Sequence, residues 1–487
     1  MKLTKTQRNF AIAFIIGVLI YFFMPAKNGL TTEGVRMLSV FIPVIIIWLT
    51  EGGNGWSALL GCTLIVMLGA YDGALSYQMF WGGSMVAMII PFYMMANALE
   101  ESGSMLWIVR WILSRKVLHG RPTLFTIFFV MTLLLTSILV NPMVTVVIFF
   151  KILKDLTASV GISKESDFYR AHGLLISWIG QTCDGCLIWG RPFILSMFAI
   201  IVGFGYDHFT MNDFFKVSSI YLLFVCIVGV LIVKLWIRPN CSAFKNFDDA
   251  AVREELKKNP MTKRAKVLLA GMAVVIATYI AAFMTPLGPI QQYFNGLPIA
   301  APISLITALM CLLVIDGKPV LDIGKEMARL PWNTIMFLGS VMFFGGIVGS
   351  EQFGISAMLS HMMTPIVSKL PVSISIFMGL AVASILTNLT SNAVSAIVVL
   401  SCFVPAMLDA PNIANVQVLT FAVCVVTVCA TAVATLAACA TMSLVYCPDG
   451  IPYKTTAKYS IALCIIMVVI SAFVIVPLGS ILLSGIV

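Results

Sequence analysis

Runs of about twenty apolar residues recur from one end of this chain to the other, and no other feature narrows its fold as much. In lipid every backbone N–H and C=O must find a partner within the protein, so such runs read as membrane-crossing helices. A transmembrane barrel would need strict in-out alternation along each strand, and none is visible. Composition agrees: 60% of the 487 residues are hydrophobic and only 10% charged, against about 25% charged in soluble domains. The expected fold is an all-α polytopic membrane protein with about 11 transmembrane helices plus two re-entrant helical hairpins in an inverted repeat.

Runs near 9–25, 33–50, 56–71 and 79–99 give four spans, and an amphipathic stretch follows over 105–113. The first run follows a basic start but no small-residue cleavage site follows Pro25, so it reads as a retained helix. A fifth span starts near Ala171, breaks over 181–192 and resumes to Phe204, and a sixth covers 217–236. The long hydrophilic stretch Arg238–Lys266 is a linker. Spans seven to nine occupy 267–284, 298–315 and 332–350, span ten 417–437 with a break around Ala440–Pro448, and span eleven 459–478.

A net charge of +9 raises the question of nucleic acid, and the placement of the basic residues answers it. With the N-terminus cytoplasmic, Lys27, Arg36, Lys216 and Lys369 fall outside and Arg191 falls within the membrane. Every other Lys and Arg lies at the inner face, the positive-inside pattern of a multi-pass plasma (cytoplasmic) membrane protein with no nucleic-acid partner. Of twelve cysteines, Cys62, Cys226, Cys311, Cys424 and Cys429 sit mid-helix and read as small apolar residues. Cys183 and Cys186 have C-x-x-C spacing but no second ligand pair nearby, so no metal or other resident cofactor is expected.

Two apolar stretches are interrupted by polar residues at their centres. In 122–152 these are Thr136, Ser137, Asn141 and Pro142, with basic residues flanking both ends; in 372–407 they are Thr387, Asn388, Thr390, Ser391 and Asn392. Polar, non-helical backbone at membrane depth persists only against protein or a wet cavity, so both read as re-entrant hairpins. The pairs Trp81 and Trp332, Glu100 and Glu351, Gly103 and Gly354, Thr136 and Thr387, and Asn141 and Asn392 are each separated by 251 positions, the mark of an internal repeat. The same offset sets Gly190-Arg191-Pro192 on Thr441-Met442-Ser443. An odd number of crossings between the copies makes the second copy inverted.

With these residues in view, the chain resembles the divalent anion/sodium symporter family of the ion transporter superfamily, as a divergent member. That family carries a Ser-Asn-Thr motif at each hairpin tip and a Thr-Pro-Pro-type turn in each broken helix. Here the second tip reads Thr390-Ser391-Asn392-Ala393 and the first keeps only Asn141, while the turns keep one element each. The resemblance implies sodium sites built from Thr136, Asn141 and Gly190 and from Thr387, Asn392 and Ala440. It also implies a small anionic substrate held by Asn141, Arg191, Thr390, Ser391, Asn392 and Thr441. A homodimer is expected, with residues 1–116 and 267–354 as scaffold, 238–266 as the cytoplasmic linker, and 117–237 and 355–487 as a transport unit that moves as an elevator.

Chemistry supports such a pocket independently. Asn, Thr and unwound carbonyls supply the oxygens a hard cation wants, and half-helix N-termini favour an anion. An unpaired charge at membrane depth costs at least about 2.5–3.5 kcal/mol, so Arg191 and Asp184 each need a partner or a role. They either pair with each other, or Arg191 grips a carboxylate or replaces a sodium ion. The function expected is secondary active transport of small anions, di- or tricarboxylates or a related oxyanion, by sodium symport or anion exchange. The alternative is a cation/proton antiporter using Asp184. No paired-acid, His-rich or Ser/Lys constellation suggests an enzyme.

Overall fold

The computed structural model describes residues 4–486, apart from 52–54, 114–120, 140–141, 160, 188–190, 241–253, 255, 284–299, 349, 351, 436–437 and 447–449. The described chain is helical almost throughout. Among the described residues six helical stretches are long and apolar enough to cross a membrane: Lys5–Phe23, Gly73–Glu101, Pro122–Leu139, Met211–Ile237, Val372–Leu389 and Tyr453–Leu482. The sheet present is a two-stranded hairpin, Val314–Ile315 with Lys318–Pro319, turned by Asp316 and Gly317 at positive φ. Asp-Gly is the pair a tight hairpin turn of that kind requires.

The first half comprises α1 (Lys5–Phe23), α2 (Thr32–Glu51), α3 (Gly55–Met67), α4 (Gly73–Trp81), α5 (Ser84–Glu101), α6 (Ser104–Leu113), α7 (Pro122–Leu139), α8 (Pro142–Ser159), α9 (Asp167–Thr182), α10 (Pro192–Gly203) and α11 (Met211–Leu231). The second comprises α12 (Lys263–Phe283), α13 (Ala301–Leu312), α14 (Ile323–Ala328), α15 (Trp332–Val348), α16 (Ile355–Val367), α17 (Val372–Leu389), α18 (Asn392–Leu408), α19 (Asn415–Ala430), α20 (Ala440–Val445), α21 (Tyr453–Ile470) and α22 (Val476–Leu482). Prolines mark several starts: Pro142 opens α8 and Pro192 opens α10, where the missing N–H is one the helix could not satisfy anyway. Both Gly103 and Gly354 adopt left-handed backbone, φ +67° and +63°, and each precedes the next helix by one residue. The two halves therefore share a turn that a side chain would strain. Each half also ends in a helix that widens into a π-helical segment, Ile232–Ile237 and Ser471–Ile475.

Burial runs opposite to that of a soluble protein at the periphery. Leu312 is 77% and Phe23 76% exposed, as suits side chains that meet lipid. Two helices are instead enclosed: every residue of α9 from Ala171 to Thr182 and of α19 from Val418 to Ala430 is buried. Around them, α7 and α8 pack on α9, and α17 and α18 pack on α19. The crossing contacts are reciprocal, with α10 on α18 and α20 on α8.

Polar contacts between distant segments include two sets at opposite ends of the helices. At one end Thr6 and Asn9 donate to Glu51 at 2.9 and 2.5 Å, Gly55 N–H donates to Asn333 at 3.3 Å, and Glu101 meets Lys325 and Arg329 at 2.6 and 3.2 Å. At the other, Thr31 donates to the Phe353 carbonyl at 3.2 Å and Tyr206 to the Asn415 carbonyl at 3.1 Å, while Ser360 donates to Asp409. Each set joins residues that the sequence reading places on one membrane side.

Candidate functional site

The site is a junction of four pieces: the tips of the α7–α8 and α17–α18 hairpins and the breaks after α9 and α19. Helix α9 stops at Thr182, tightens into a 3₁₀ turn at Cys183–Gly185, and the chain resumes as α10 at Pro192. Arg191, the N-cap, is extended (φ −103°, ψ 106°) as a residue before proline prefers, and it is 3% exposed. Its Nη2 donates to the Ser137 carbonyl, in the last turn of α7. That carbonyl is one of the four a helix end leaves unmatched, and the negative end of the helix dipole adds attraction for a cation.

The second tip is held by a matching contact made with different chemistry. Asn388 lies 251 positions after Ser137, and its carbonyl accepts from the Thr435 hydroxyl. Its side-chain Oδ1 accepts the Ala434 N–H at 2.8 Å. Thr387 Oγ1 lies 2.6 Å from the Cys429 carbonyl and 3.2 Å from Asn392 Oδ1, which gathers three oxygens at the base of this tip. The breaks in turn touch each other: Thr182 Oγ1 donates to Thr431 Oγ1 at 3.2 Å, and Tyr221 OH meets the same oxygen at 2.7 Å. First tip, first break, second break and second tip are thus linked in series.

Open polar groups face this junction from the second tip. Thr390 Oγ1 is engaged with the Leu386 carbonyl and Ser395 Oγ, both at 2.9 Å. Ser391 is the N-cap of α18 but its hydroxyl makes no cap bond, and Ser391 and Asn392 are both partly exposed. The first-turn N–H groups of α18 therefore offer donors and the positive dipole end to an anion. At the first break, Asp184 and Arg191 lie within electrostatic reach of one another and of the Tyr93 phenol on α5. Arg191 also caps α7.

Other expected positions are distributed unevenly. Asn141 and Gly190 lie outside the described residues. Thr136 is buried and donates to the Thr132 carbonyl of its own helix at 2.9 Å. Span ten breaks earlier than expected: α19 ends at Ala430 and α20 begins at Ala440, so Ala440 and Thr441 stand inside a helix, with Cys439 as its N-cap. The carbonyl that reaches Thr387 is accordingly that of Cys429, not one near Ala440. The physical reason is a change of register. Thr182 and Ala430 end their helices 248 positions apart, and Pro192 and Ala440 begin theirs at the same interval, so the offset of 251 does not carry through the breaks.

The backbone freed in the second break is satisfied by side chains from the end of α20 and from α21. Val433 and Ala434 carbonyls accept from Tyr446 and Tyr453 hydroxyls at 3.0 and 3.4 Å, and the Thr431 carbonyl accepts from the Cys464 thiol at 3.4 Å. Sequence reasoning marked Asn388 as part of the polar tip without giving it a role, and missed Thr182, Thr431 and Tyr221. For Asn388 a signal existed, since it shares the 251 offset with Ser137.

No curated protein matches the chain. A family model described as citrate transporter, CitMHS, matches residues 44–426, a stretch that takes in both hairpins, the first break and α19 as far as Val426. With hairpin tips and helix breaks gathered in one junction and that match covering most of its length, the chain belongs to the CitMHS citrate transporter family, within the wider superfamily related to the divalent anion/sodium symporters.

Proposed function

We propose that this protein is a secondary active transporter that carries citrate or a similar di- or tricarboxylate across the plasma membrane, with the four-part junction as its substrate site. One observation carries the reading: two polar hairpin tips are hydrogen-bonded to two helix breaks that also touch each other. Non-helical backbone at that depth is stable only where it lines a cavity or is buried in protein, and such breaks hold substrate in transporters built from repeats. The fold in this reading has about 11 spans and two re-entrant hairpins in an inverted repeat. The left-handed Gly103 and Gly354 and the reciprocal packing of α10 on α18 and α20 on α8 support that symmetry.

Ser391 and the opening N–H groups of α18 donate to one carboxylate. Arg191 places a fixed positive charge on the far side of the junction, where Asn141 of the first tip and Thr390 and Thr441 complete the lining. A coupling sodium ion would take its oxygens from Thr387, Asn392 and the Cys429 carbonyl, a donor set suited to a hard cation. Thr136, Asn141 and Gly190 are the counterpart at the first tip. Residues 117–237 and 355–487 travel together as an elevator against a scaffold of 1–116 and 267–354, which pairs two protomers. The N-terminus and most basic residues face the cytoplasm.

Uptake of labelled citrate into proteoliposomes tests this reading. Saturable uptake, competed by unlabelled citrate and driven by an inward sodium gradient or by internal anion, is the expected result. No citrate or dicarboxylate uptake under either condition would sink it. The rival, a cation/proton antiporter, rests on the carboxylate of Asp184 standing in the turn of the first break. It predicts sodium-dependent proton movement that Asp184→Asn abolishes, with no carboxylate flux.

A further inference from the structure

Away from the junction, a cavity of about 440 Å³ opens between α6 and the stretch 256–262. Ser102, Ser104, Trp107, Arg110, Lys258 and Asn259 line it, and none of its described lining residues is acidic. The indole Nε1 of Trp107 is buried and has no hydrogen-bond partner among the described residues. A buried donor left unmade is costly, so it marks a place where an acceptor belongs. The N-terminus of α6 opens onto the same space, entered through the left-handed Gly103 and with the Ser102 hydroxyl 3.0 Å from Ser104. Two cationic side chains, an unmatched N–H donor and the positive end of a ten-residue helix all favour one kind of occupant, an anion with several oxygens.

The surroundings specify the anion further. Trp107 and Trp111 stack at 6.3 Å with an interplanar angle of 17°, and Trp111 is 45% exposed on an amphipathic helix, the disposition of an interfacial aromatic anchor. Lys263, Arg264 and Lys266 follow the lining stretch directly, so the cavity lies at the membrane end where basic residues gather. Lys258 also pairs with Glu254 at 2.7 Å, but both side chains are largely exposed, and such a pair yields easily to a stronger anion. Basic pockets at this level accept the head groups of anionic lipids.

We propose that this cavity binds a phosphate group, the charged head of an anionic lipid such as phosphatidylglycerol or a free phosphate reaching the same donors. Helix α6 joins α5 to the first hairpin and packs on α7 and α8, so an occupant here tethers the arm that leads into the hairpin. The site does not depend on the transport reading, since binding is measured without flux.

Purified protein in neutral detergent is titrated with short-chain phosphatidylglycerol, phosphatidylcholine or inorganic phosphate while its thermal midpoint is followed, and native mass spectrometry counts retained lipid. The proposal expects a midpoint rise with phosphatidylglycerol and not with phosphatidylcholine. Retention should fall about tenfold in Arg110→Gln/Lys258→Gln. A rise with inorganic phosphate alone, also lost in that variant, assigns the site to the soluble source. Trp107→Phe keeps the packing and removes only the N–H, and should weaken the response while leaving the unliganded midpoint within a degree or so of the parent. The idea is overturned if phosphatidylglycerol and phosphate produce no response in the parent, or if the response in both variants equals that of the parent.

Discussion

At the scale of single residues the junction depends on a few polar side chains that each pair with a backbone carbonyl or N–H away from lipid. Asn388→Ala leaves the Ala434 N–H without its acceptor, which costs about 1 kcal/mol or somewhat more. The expected outcome is a lowered thermal midpoint together with weakened uptake; an unchanged midpoint would show that the contact contributes nothing. Arg191 has two roles in this account, cap of α7 and fixed charge for substrate. Arg191→Ala should reduce citrate uptake about tenfold or more, and Arg191→Lys, which keeps the charge but loses the planar fork, should recover part of it. Transport by the alanine variant at the parent rate removes Arg191 from the binding site. Polar positions at the tips were readable because Thr, Ser and Asn stand out inside apolar stretches. Tyr221, Thr182 and Thr431 were not, since a lone hydroxyl on a buried helix is usually bonded to its own backbone, as Thr431 also is to the Thr427 carbonyl at 3.0 Å.

Among elements, the decisive feature is how closely the broken segments approach one another. The 3₁₀ turn after α9 lies against α19 so tightly that a Cβ on Gly185 would meet the Cβ of Ala430, with the Val426 carbonyl 3.2 Å away. Backbone on one side and a methyl fixed to a buried helix on the other leave nothing that can yield. Gly185→Ala should therefore destabilise by about 1–3 kcal/mol, the usual range for overpacking. A fall in thermal midpoint and in the yield of monodisperse protein measures it; a fully stable alanine variant would mean the two breaks do not pack this way. The first break could be read from the chain, because Gly185 and Pro192 interrupt it. The position of the second could not: the sequence from Ala432 to Ala440 contains no glycine or proline and is rich in alanine, the best helix former. Helix propensity is overruled there by Tyr446, Tyr453, Cys464 and Asn388, which satisfy the unwound backbone from elements far apart in the chain.

For the whole molecule, a charged cluster at the basic end joins the two halves. Glu101, closing α5, meets Lys325 and Arg329 of the α14 region at 2.6 and 3.2 Å and Arg264 of α12 at 3.6 Å. The hydrogen bond from Lys325, followed by the charges of Lys325, Arg264 and Arg329, holds its carboxyl below the ordinary value of 4.5. A depressed carboxyl contributes stability that is present above the unfolded value and lost as pH falls through the folded one. Glu326 in the same cluster moves the other way, raised chiefly by burial, so ionising it in the folded state is a cost at neutral pH. Thermal midpoints taken between about pH 3 and 7 should show the acid-side loss diminished in Glu101→Gln, by tenths of a kcal/mol given its partial exposure. Glu326→Gln should be as stable as the parent or more so near pH 7, with no advantage in acid. A gain near pH 7 in Glu101→Gln together with a loss in Glu326→Gln would contradict the arrangement.

What the sequence determined by itself was the solvent, the segments and the membership. Apolar runs interrupted by Thr, Ser and Asn at matched spacing admit few folds in a medium that offers no hydrogen bonds. What only the tertiary structure decided was the register of the second break, the seat of Arg191 on the Ser137 carbonyl, and the contact between the two breaks. Each depends on which distant side chain reaches a freed backbone group, and no local pattern in the chain encodes that distance.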